Sequence, residues 1–332
     1  MKYNFNSPEN SPIVLDVTIR DGGYLNQWHF TWEQMMLAFE SAFTCGADIV
    51  EIGYLDDRQS LPVAASWPVQ DLEKMQVLRS RGRLAAMCRP SVIDAENVLA
   101  SRKDLVDLIR IPVDLKNPQL ANKLATICSR INLPYSFNLT NISCFSLEQI
   151  RNAFSALSDD ATAVYIADSR GALLPGQVGP IFDTLAEVRQ SSFGYHAHDN
   201  LGLARENTLA ALRWGVEWID GSLLGIGLGG RNLRLDDALE LAEPYRTDLQ
   251  YKKLDAALSE ADFGVPSPGP EMPMYSLTGK KNFKMEWAMM MAAQLGQDAT
   301  CKIIESLPEK ILFLPEELKP FVTEEQWNKL IW

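Results

Sequence analysis

Short apolar, β-branched runs alternate with longer amphipathic stretches over about 230 residues of the chain. Runs of the first kind read as buried strands, and apolar residues recurring every three or four positions read as helices. The expected strands are Ile13 to Ile19, Ile49 to Ile52, Leu84 to Cys88, Leu108 to Ile111, Tyr135 to Leu139, Ala163 to Ala167, Gly194 to His198 and Trp218 to Leu223. Helical periodicity fills most gaps. It covers Thr31 to Cys45 with Thr31 as N-cap, Ile93 to Ser101, Leu120 to Ile131, Leu147 to Leu157, Val178 to Arg189, Leu203 to Trp214 and Leu235 to Leu241. Eight strand–helix alternations predict an α/β fold of the (β/α)8 TIM-barrel type, with a doubly wound sheet as the competitor.

The pattern changes after Pro244. Gly264 to Pro273 (GVPSPGPEMP) carries four prolines, which fix φ and remove donors, so irregular backbone is expected there. Helical periodicity returns over Asn282 to Leu295 and Glu324 to Ile331. The chain thus divides into a catalytic barrel over 1–245 and a small C-terminal helical subdomain over 246–332, acting as a lid or an interface.

Composition narrows the classes of function. At 332 residues, 46% hydrophobic and 22% charged, the chain can bury a full core. A net charge of −12 argues against a nucleic-acid partner, which draws on clustered Lys and Arg. Five scattered cysteines with no Cys-x-x-Cys pair make neither a disulfide framework nor a thiolate zinc site; packed thiols in a reducing cytoplasm are expected. No apolar run approaches the length of a membrane span, and Met1 to Ser11 has no hydrophobic signal core.

In a TIM barrel, chemistry sits at the C-terminal ends of the strands and in the loops that follow. Two polar clusters fall there. After strand one comes Asp16-Val-Thr-Ile-Arg20-Asp21-Gly22-Gly23, whose glycines permit close approach of the backbone to a ligand, although an Arg–Asp surface pair is the plain alternative. At the end of strand seven stands His196-Ala197-His198-Asp199-Asn200. Strand residues i and i+2 share a face, so both imidazoles can converge on one point, and the chain has only three histidines. Barrel closure makes strands seven, eight and one neighbours, so Asp21, His196 and His198 can meet. The glycine-rich loop Gly225 to Asn232 offers Asn232 as a fourth ligand, with a phosphate cradle as its competing role. A carboxylate, two imidazoles and an amide oxygen suit Mn²⁺ or Mg²⁺, and Zn²⁺ or Co²⁺ less well. Such an ion can polarise a 2-oxo acid, with Arg20 sharing the charge of the enolate.

The segments DVTIRDG (Asp16 to Gly22), HAHDNLGLA (His196 to Ala204) and GIGLGGRN (Gly225 to Asn232) together resemble the DRE-TIM metallolyase superfamily over about Ile13 to Ala242. The resemblance implies Asp21, His196, His198 and Asn232 as metal ligands, Arg20 as the enolate-stabilising arginine and Glu51 as a strand-two acid. It implies a mostly architectural part for Asp168-Ser169-Arg170-Gly171. Arg89, Asn138, Thr140 and Asn200 are the residues expected to bind substrate. Two departures bear on the reaction. Tyr24 stands where the aldolases carry a histidine acid/base, and the loop Gly225 to Asn232 lacks the cysteine of the acyl-CoA lyases. Tyr24 is therefore the expected proton donor, with His29 as second choice.

The expected activity is an aldolase-type carbon–carbon lyase acting on a 2-oxo acid, a small carbonyl substrate, or running as addition of the pyruvate enolate to an aldehyde. The alternatives are a Claisen-type acyl-CoA condensing enzyme and a non-catalytic metal-binding barrel that partners another protein. A homodimer or higher homo-oligomer is expected, with Met285, Met289, Met290 and Met291 as core filler or interface. Lys280, Lys281 and Lys284 read as a solvated helix start, or as contacts to an anionic substrate group.

Overall fold

The computed structural model describes residues 11–58, 60–242, 258, 261–265, 272–308 and 311–331. Eight strands close into an all-parallel barrel: β1 (Ile13–Asp16), β2 (Ile49–Leu55), β3 (Arg83–Cys88), β4 (Leu108–Val113), β5 (Tyr135–Leu139), β6 (Ala163–Asp168), β7 (Phe193–Ala197) and β8 (Trp218–Gly221). Closure is made by β1 on β8, with Ile13 opposite Trp218 and Asp16 opposite Gly221. Among the described residues no helix is long and apolar enough to cross a membrane.

The barrel interior shows why the chemistry lies at one end. Ile13, Leu15, Ile49, Ala85, Leu108, Ala163, Tyr165 and Trp218 belong to one buried apolar cluster that plugs it. Two residues further along the same strands, on the same face by the period of two, come Glu51, Met87, Arg110 and Asp220. An apolar floor is thus overlaid by a charged layer facing the C-terminal mouth. The outer strand faces carry Val14, Val50, Ile52, Leu84, Ile109, Phe137, Val164 and Ile219, which join the surrounding helices in a separate core cluster.

Several boundaries differ from the sequence pattern. The first strand stops at Asp16 rather than Ile19, because the Asp16 carboxylate accepts from the Thr18 amide and hydroxyl (3.1 and 2.7 Å) and turns the chain into helix α1 (Thr18–Asn26). β8 ends at Gly221 rather than Leu223, and His198 lies just beyond β7. β2 runs on to Leu55 through a bulge at Gly53. Gly53 adopts φ +133, and a Cβ there would sit 2.0 Å from the Ala64 carbonyl oxygen. The bulge carries Tyr54 to the barrel mouth.

The proposed 245/246 boundary lies outside the described residues, as does most of the proline-rich stretch. At its end, however, Met272 and Pro273 open a helix, Met272–Lys280, where irregular backbone was expected; proline is tolerated in a first helical turn. Helices Met285–Leu295, Gln297–Ser306 and Glu324–Lys329 follow, and the helix over 297–306 is not apparent from periodicity. These elements bury a core of their own around Met274, Phe283, Trp287, Met291, Ile304 and Leu318. Met285 and Met291 are buried, while Met289 and Met290 pack half-buried against that core. Lys281 turns into the tail, where its Nζ donates to the Leu307 carbonyl at 2.8 Å.

The tail is clasped to the loops after β5, β6 and β7. Arg170 donates to the carbonyls of Asn282 and Leu312, and Asn282 donates to the Ser143 carbonyl at 2.8 Å. Arg170→Met strands those carbonyls and removes hydrogen bonds from a charged donor, worth about 1.5–3 kcal/mol. The expected result is a melting temperature lower by roughly 3–6 °C and faster tryptic cleavage between 272 and 308, read by scanning calorimetry and mass spectrometry. Unchanged melting and cleavage would contradict the clasp.

Four cysteines are buried and Cys301 is half-buried; burial pushes the Cys88 thiol up to about 12. A thiol reagent is therefore expected to titrate Cys301 in the native protein and the other four only after unfolding. Rapid native labelling of two or more thiols would contradict this packing.

Candidate functional site

Asp21 is set on the first turn of α1, where its amide donates to the Val17 carbonyl at 2.9 Å. Its carboxylate is enclosed. Oδ1 accepts from Arg20 Nη1, and Oδ2 accepts from Asn232 Nδ2 (2.8 Å) and the Leu228 amide (3.2 Å). Burial would raise its pKa, but Arg20, His198 and His196 together hold it well below the usual carboxylate range.

The loop after β8 folds back antiparallel on the end of β7, pairing His198 with Asn232. Gly227 makes room for this, since a Cβ there would lie 2.4 Å from the Asn232 side chain. The loop backbone serves the site directly: the Leu228 carbonyl faces His198 Nδ1 at 3.0 Å, and the Leu228 amide binds Asp21.

That carbonyl can only accept, so His198 carries its hydrogen on Nδ1 and leaves Nε2 bare when neutral. His196 Nδ1 faces the Asp220 carboxylate at 3.0 Å, which fixes the same tautomer. The two Nε2 atoms are 3.2 Å apart, with lone pairs turned on each other. A proton could relieve the repulsion. Burial, however, pushes the His198 pKa down to about 4 against the pull of Asp21. Asp21 Oδ2 lies 3.8 Å from His198 Nε2, and ligand atoms of Asp21, His196 and His198 all lie within 4.8 Å of one another. Asn232 Oδ1 is buried without a partner. Two bare imidazole nitrogens, a carboxylate and an orphaned amide oxygen fit a divalent cation.

Behind the ligands runs a buried chain of alternating charge. Arg20 Nε donates to Glu51 Oε2 (2.7 Å), Arg110 Nη1 donates to the same oxygen (2.9 Å), and Arg110 Nη2 donates to Asp220 Oδ2 (2.6 Å). Because Asp220 holds His196 and Arg20 holds Asp21, the chain joins one candidate metal ligand to another. Burial opposes ionisation of Asp220, yet Arg110 and His196 keep its carboxyl below the ordinary value.

A cavity of about 630 Å³ opens above, lined by Arg20, Asp21, His196, His198, Tyr24, Tyr54, Arg89, Asn138 and Thr140 among others. The structure therefore brings together around one cavity eight of the residues expected from sequence. Tyr24 hydrogen-bonds the Tyr54 hydroxyl at 2.9 Å. The Asn138 amide is satisfied with its oxygen accepting from Arg110 Nη2 (2.7 Å), and Thr140 donates to the Val113 carbonyl (3.0 Å).

Three expected residues are placed elsewhere. Glu51, fully buried, does not line the cavity and instead holds Arg20 and Arg110. Asn200 spends its amide nitrogen on Thr278 Oγ1 (2.8 Å) and the Met285 sulfur, tying the tail to the loop after β7, and it does not line the cavity. His29 is exposed and turned to the Asn26 carbonyl, away from the cavity. Arg110, Asp220 and Tyr54 were not anticipated. A charge inside an otherwise apolar strand run, LIRIPV or WIDG, is the signal that could have found the first two.

The family model described as HMGL-like matches residues 11–257. The chain is 28% identical over 253 residues to a 4-hydroxy-2-oxovalerate aldolase of Pelotomaculum thermopropionicum, covering 74% of each chain. It is 28% identical over 230 residues to an oxaloacetate decarboxylase of Mycobacterium tuberculosis, covering 68% of each. Among solved structures, the N-terminal domain of a candidate aldolase from Bacteroides vulgatus superposes with a TM-score of 0.69 at 25% identity, over 83% of this chain and 95% of that one.

Asp220→Asn keeps the shape but frees His196 from its anionic partner. Mn²⁺ affinity measured by calorimetry is expected to fall roughly 10- to 100-fold, with the near-ultraviolet circular dichroism retained. Wild-type affinity in this variant would contradict the part assigned to Asp220.

Proposed function

The chain belongs to the HMGL-like family, and from that membership we propose that it is a divalent-metal-dependent carbon–carbon lyase of the aldolase type, acting on 2-oxo acids by way of their enolates. The observation that carries this reading is the convergence of Asp21, His196 and His198 at the floor of the cavity, with Arg20 beside them. A divalent cation at these residues would supply Lewis-acid polarisation of a carbonyl.

The remaining roles fall to the chain's own groups. Arg20 is locked by Glu51 and Asp21 through Nε and Nη1. Its Nη2 has no partner among the described residues, which suits it to donate to the substrate's keto oxygen as negative charge grows there. Because Arg20 is fixed in advance, it needs no reorganisation when that charge develops. The Tyr24 hydroxyl, at the cavity wall and held by Tyr54, is the group proposed to give and take the proton. Asn138 and Thr140, on the wall formed by β5, are proposed to orient the bound substrate.

Decarboxylation of a 2-oxo diacid is a second reading, favoured by the likeness to the oxaloacetate decarboxylase. It shares with aldol cleavage the enolate left behind when a carbon–carbon bond breaks. Exchange of pyruvate methyl protons in D₂O tests both, because it reports enolisation without a second substrate. Exchange is expected to require Mn²⁺ or Mg²⁺, to fall about 10²-fold or more in Arg20→Met, and to fall at least about ten-fold in Tyr24→Phe. An absence of metal-dependent exchange across a panel of 2-oxo acids would overturn the reading. Rates for Tyr24→Phe within a few-fold of wild type would remove Tyr24 from it.

A further inference from the structure

Three arginines line the cavity, and they differ in what meets their charge. Arg20 is paired with Glu51 and Asp21. Arg170 donates to the carbonyls of Asn282 and Leu312, which hold the tail in place. Arg89 has neither kind of partner. Its guanidinium carbon lies 3.6 Å from the centroid of the Tyr54 ring and 5.5 Å from that of Trp28. Its other neighbours are the hydroxyls of Tyr24 and Tyr54. Among the described residues no carboxylate makes an ion pair with it. Of the other acids lining the cavity, Asp114 has both oxygens occupied, by the Lys116 amide and by Asn117 Nδ2, and Glu286 acts on Arg170.

A half-buried guanidinium without a counter-charge keeps a desolvation cost that a bound anion would offset. Its planar edge matches the two oxygens of a carboxylate or phosphate. Seating over Tyr54 fixes its plane in advance, which limits the side-chain entropy lost on binding.

Position adds to chemistry. Arg89 directly follows β3, and the imidazoles come from the end of β7. Strands three and seven are four apart in a closed ring of eight, so they face each other across the mouth. The intervening cavity of about 630 Å³ is larger than a three-carbon acid needs. A ligand whose reacting carbonyl lies by Asp21, His196 and His198 therefore has room to extend to Arg89.

We propose that Arg89 is a specificity-determining residue that selects a substrate bearing an anionic group, carboxylate or phosphate, at the end remote from the reacting carbonyl. In the aldol direction this makes the acceptor an anionic aldehyde. The proposal rests on the aldolase reading for what the substrate is, but the anion site itself can be tested without turnover.

The experiment compares wild type with Arg89→Met and Arg89→Lys, using Mn²⁺ and pyruvate with three acceptors: butanal, succinic semialdehyde and glyceraldehyde 3-phosphate. Wild type is expected to favour one of the two anionic aldehydes over butanal by roughly ten-fold or more in kcat/KM, chiefly through KM. Which of the two is favoured separates carboxylate from phosphate. In Arg89→Met that ratio is expected to collapse toward one, with Arg89→Lys between. Calorimetry with succinate and with inorganic phosphate gives a parallel reading, with binding by wild type lost in Arg89→Met. No charge preference in wild type, or an equal loss on all three aldehydes in Arg89→Met, overturns the proposal. Pyruvate proton exchange in the same preparations keeps the two ideas apart. Exchange without anion selectivity overturns the part assigned to Arg89. Arg89-dependent anion binding without exchange overturns the aldolase reading and leaves the anion site standing.

Discussion

A buried run of ion pairs, Asp21–Arg20–Glu51–Arg110–Asp220, ending in a hydrogen bond between Asp220 and His196, sets the geometry of the whole site. Every member is almost wholly withdrawn from solvent. Each charge is tolerable there only because its neighbour is in place, since removing one partner leaves an uncompensated buried ion that costs on the order of 3–5 kcal/mol. The members come from α1, β2, β4, β8 and β7, so their mutual geometry is fixed by barrel closure rather than by any one loop. The ends of the run are two of the three side chains that can share a cation. The cation site and the arginine beside it are therefore one assembly.

The barrel interior explains how such an assembly survives in a folded protein. One step below it, Leu15, Ile49, Ala85, Leu108, Ala163 and Trp218 fill the interior with apolar volume. Burial of that layer contributes the stability against which the polar layer is a local cost. The loop after β8 then closes the site from above: the Leu228 amide and carbonyl and the Asn232 amide satisfy Asp21 and His198. Its glycines are needed for that close approach. Its backbone polar groups at Leu228 are spent on the ligands, which favours ligand positioning over phosphate binding for this loop.

Much of this was legible in the residues themselves. Strand–helix alternation carried the barrel, because the parallel strands are buried on both faces and read as continuous apolar runs. The His-x-His spacing carried the imidazole pair, because side chains repeat every two residues on one face. What escaped the pattern has physical causes. Asp16 captures Thr18 and ends β1 early, a local hydrogen bond that overrides the β-propensity of Val17 and Ile19. Arg110 and Asp220 lie 110 residues apart and are joined only by ring closure, so a charge within an apolar strand run marks each of them but nothing local marks their pairing. The bulge at Gly53 brings Tyr54 to the cavity, where strict alternation would not have placed it. Asn200 turns instead to Thr278 and Met285, which lie in a tail whose packing no motif reveals.

In the proposed chemistry one divalent cation is held jointly by α1 and the C-terminal end of β7. Crystals grown with Mn²⁺ and measured at a wavelength where manganese scatters anomalously test it most directly. A single strong anomalous peak is expected within bonding distance of the Asp21 carboxylate and of Nε2 of both His196 and His198. A peak bound elsewhere, or none at a saturating manganese concentration, would contradict it.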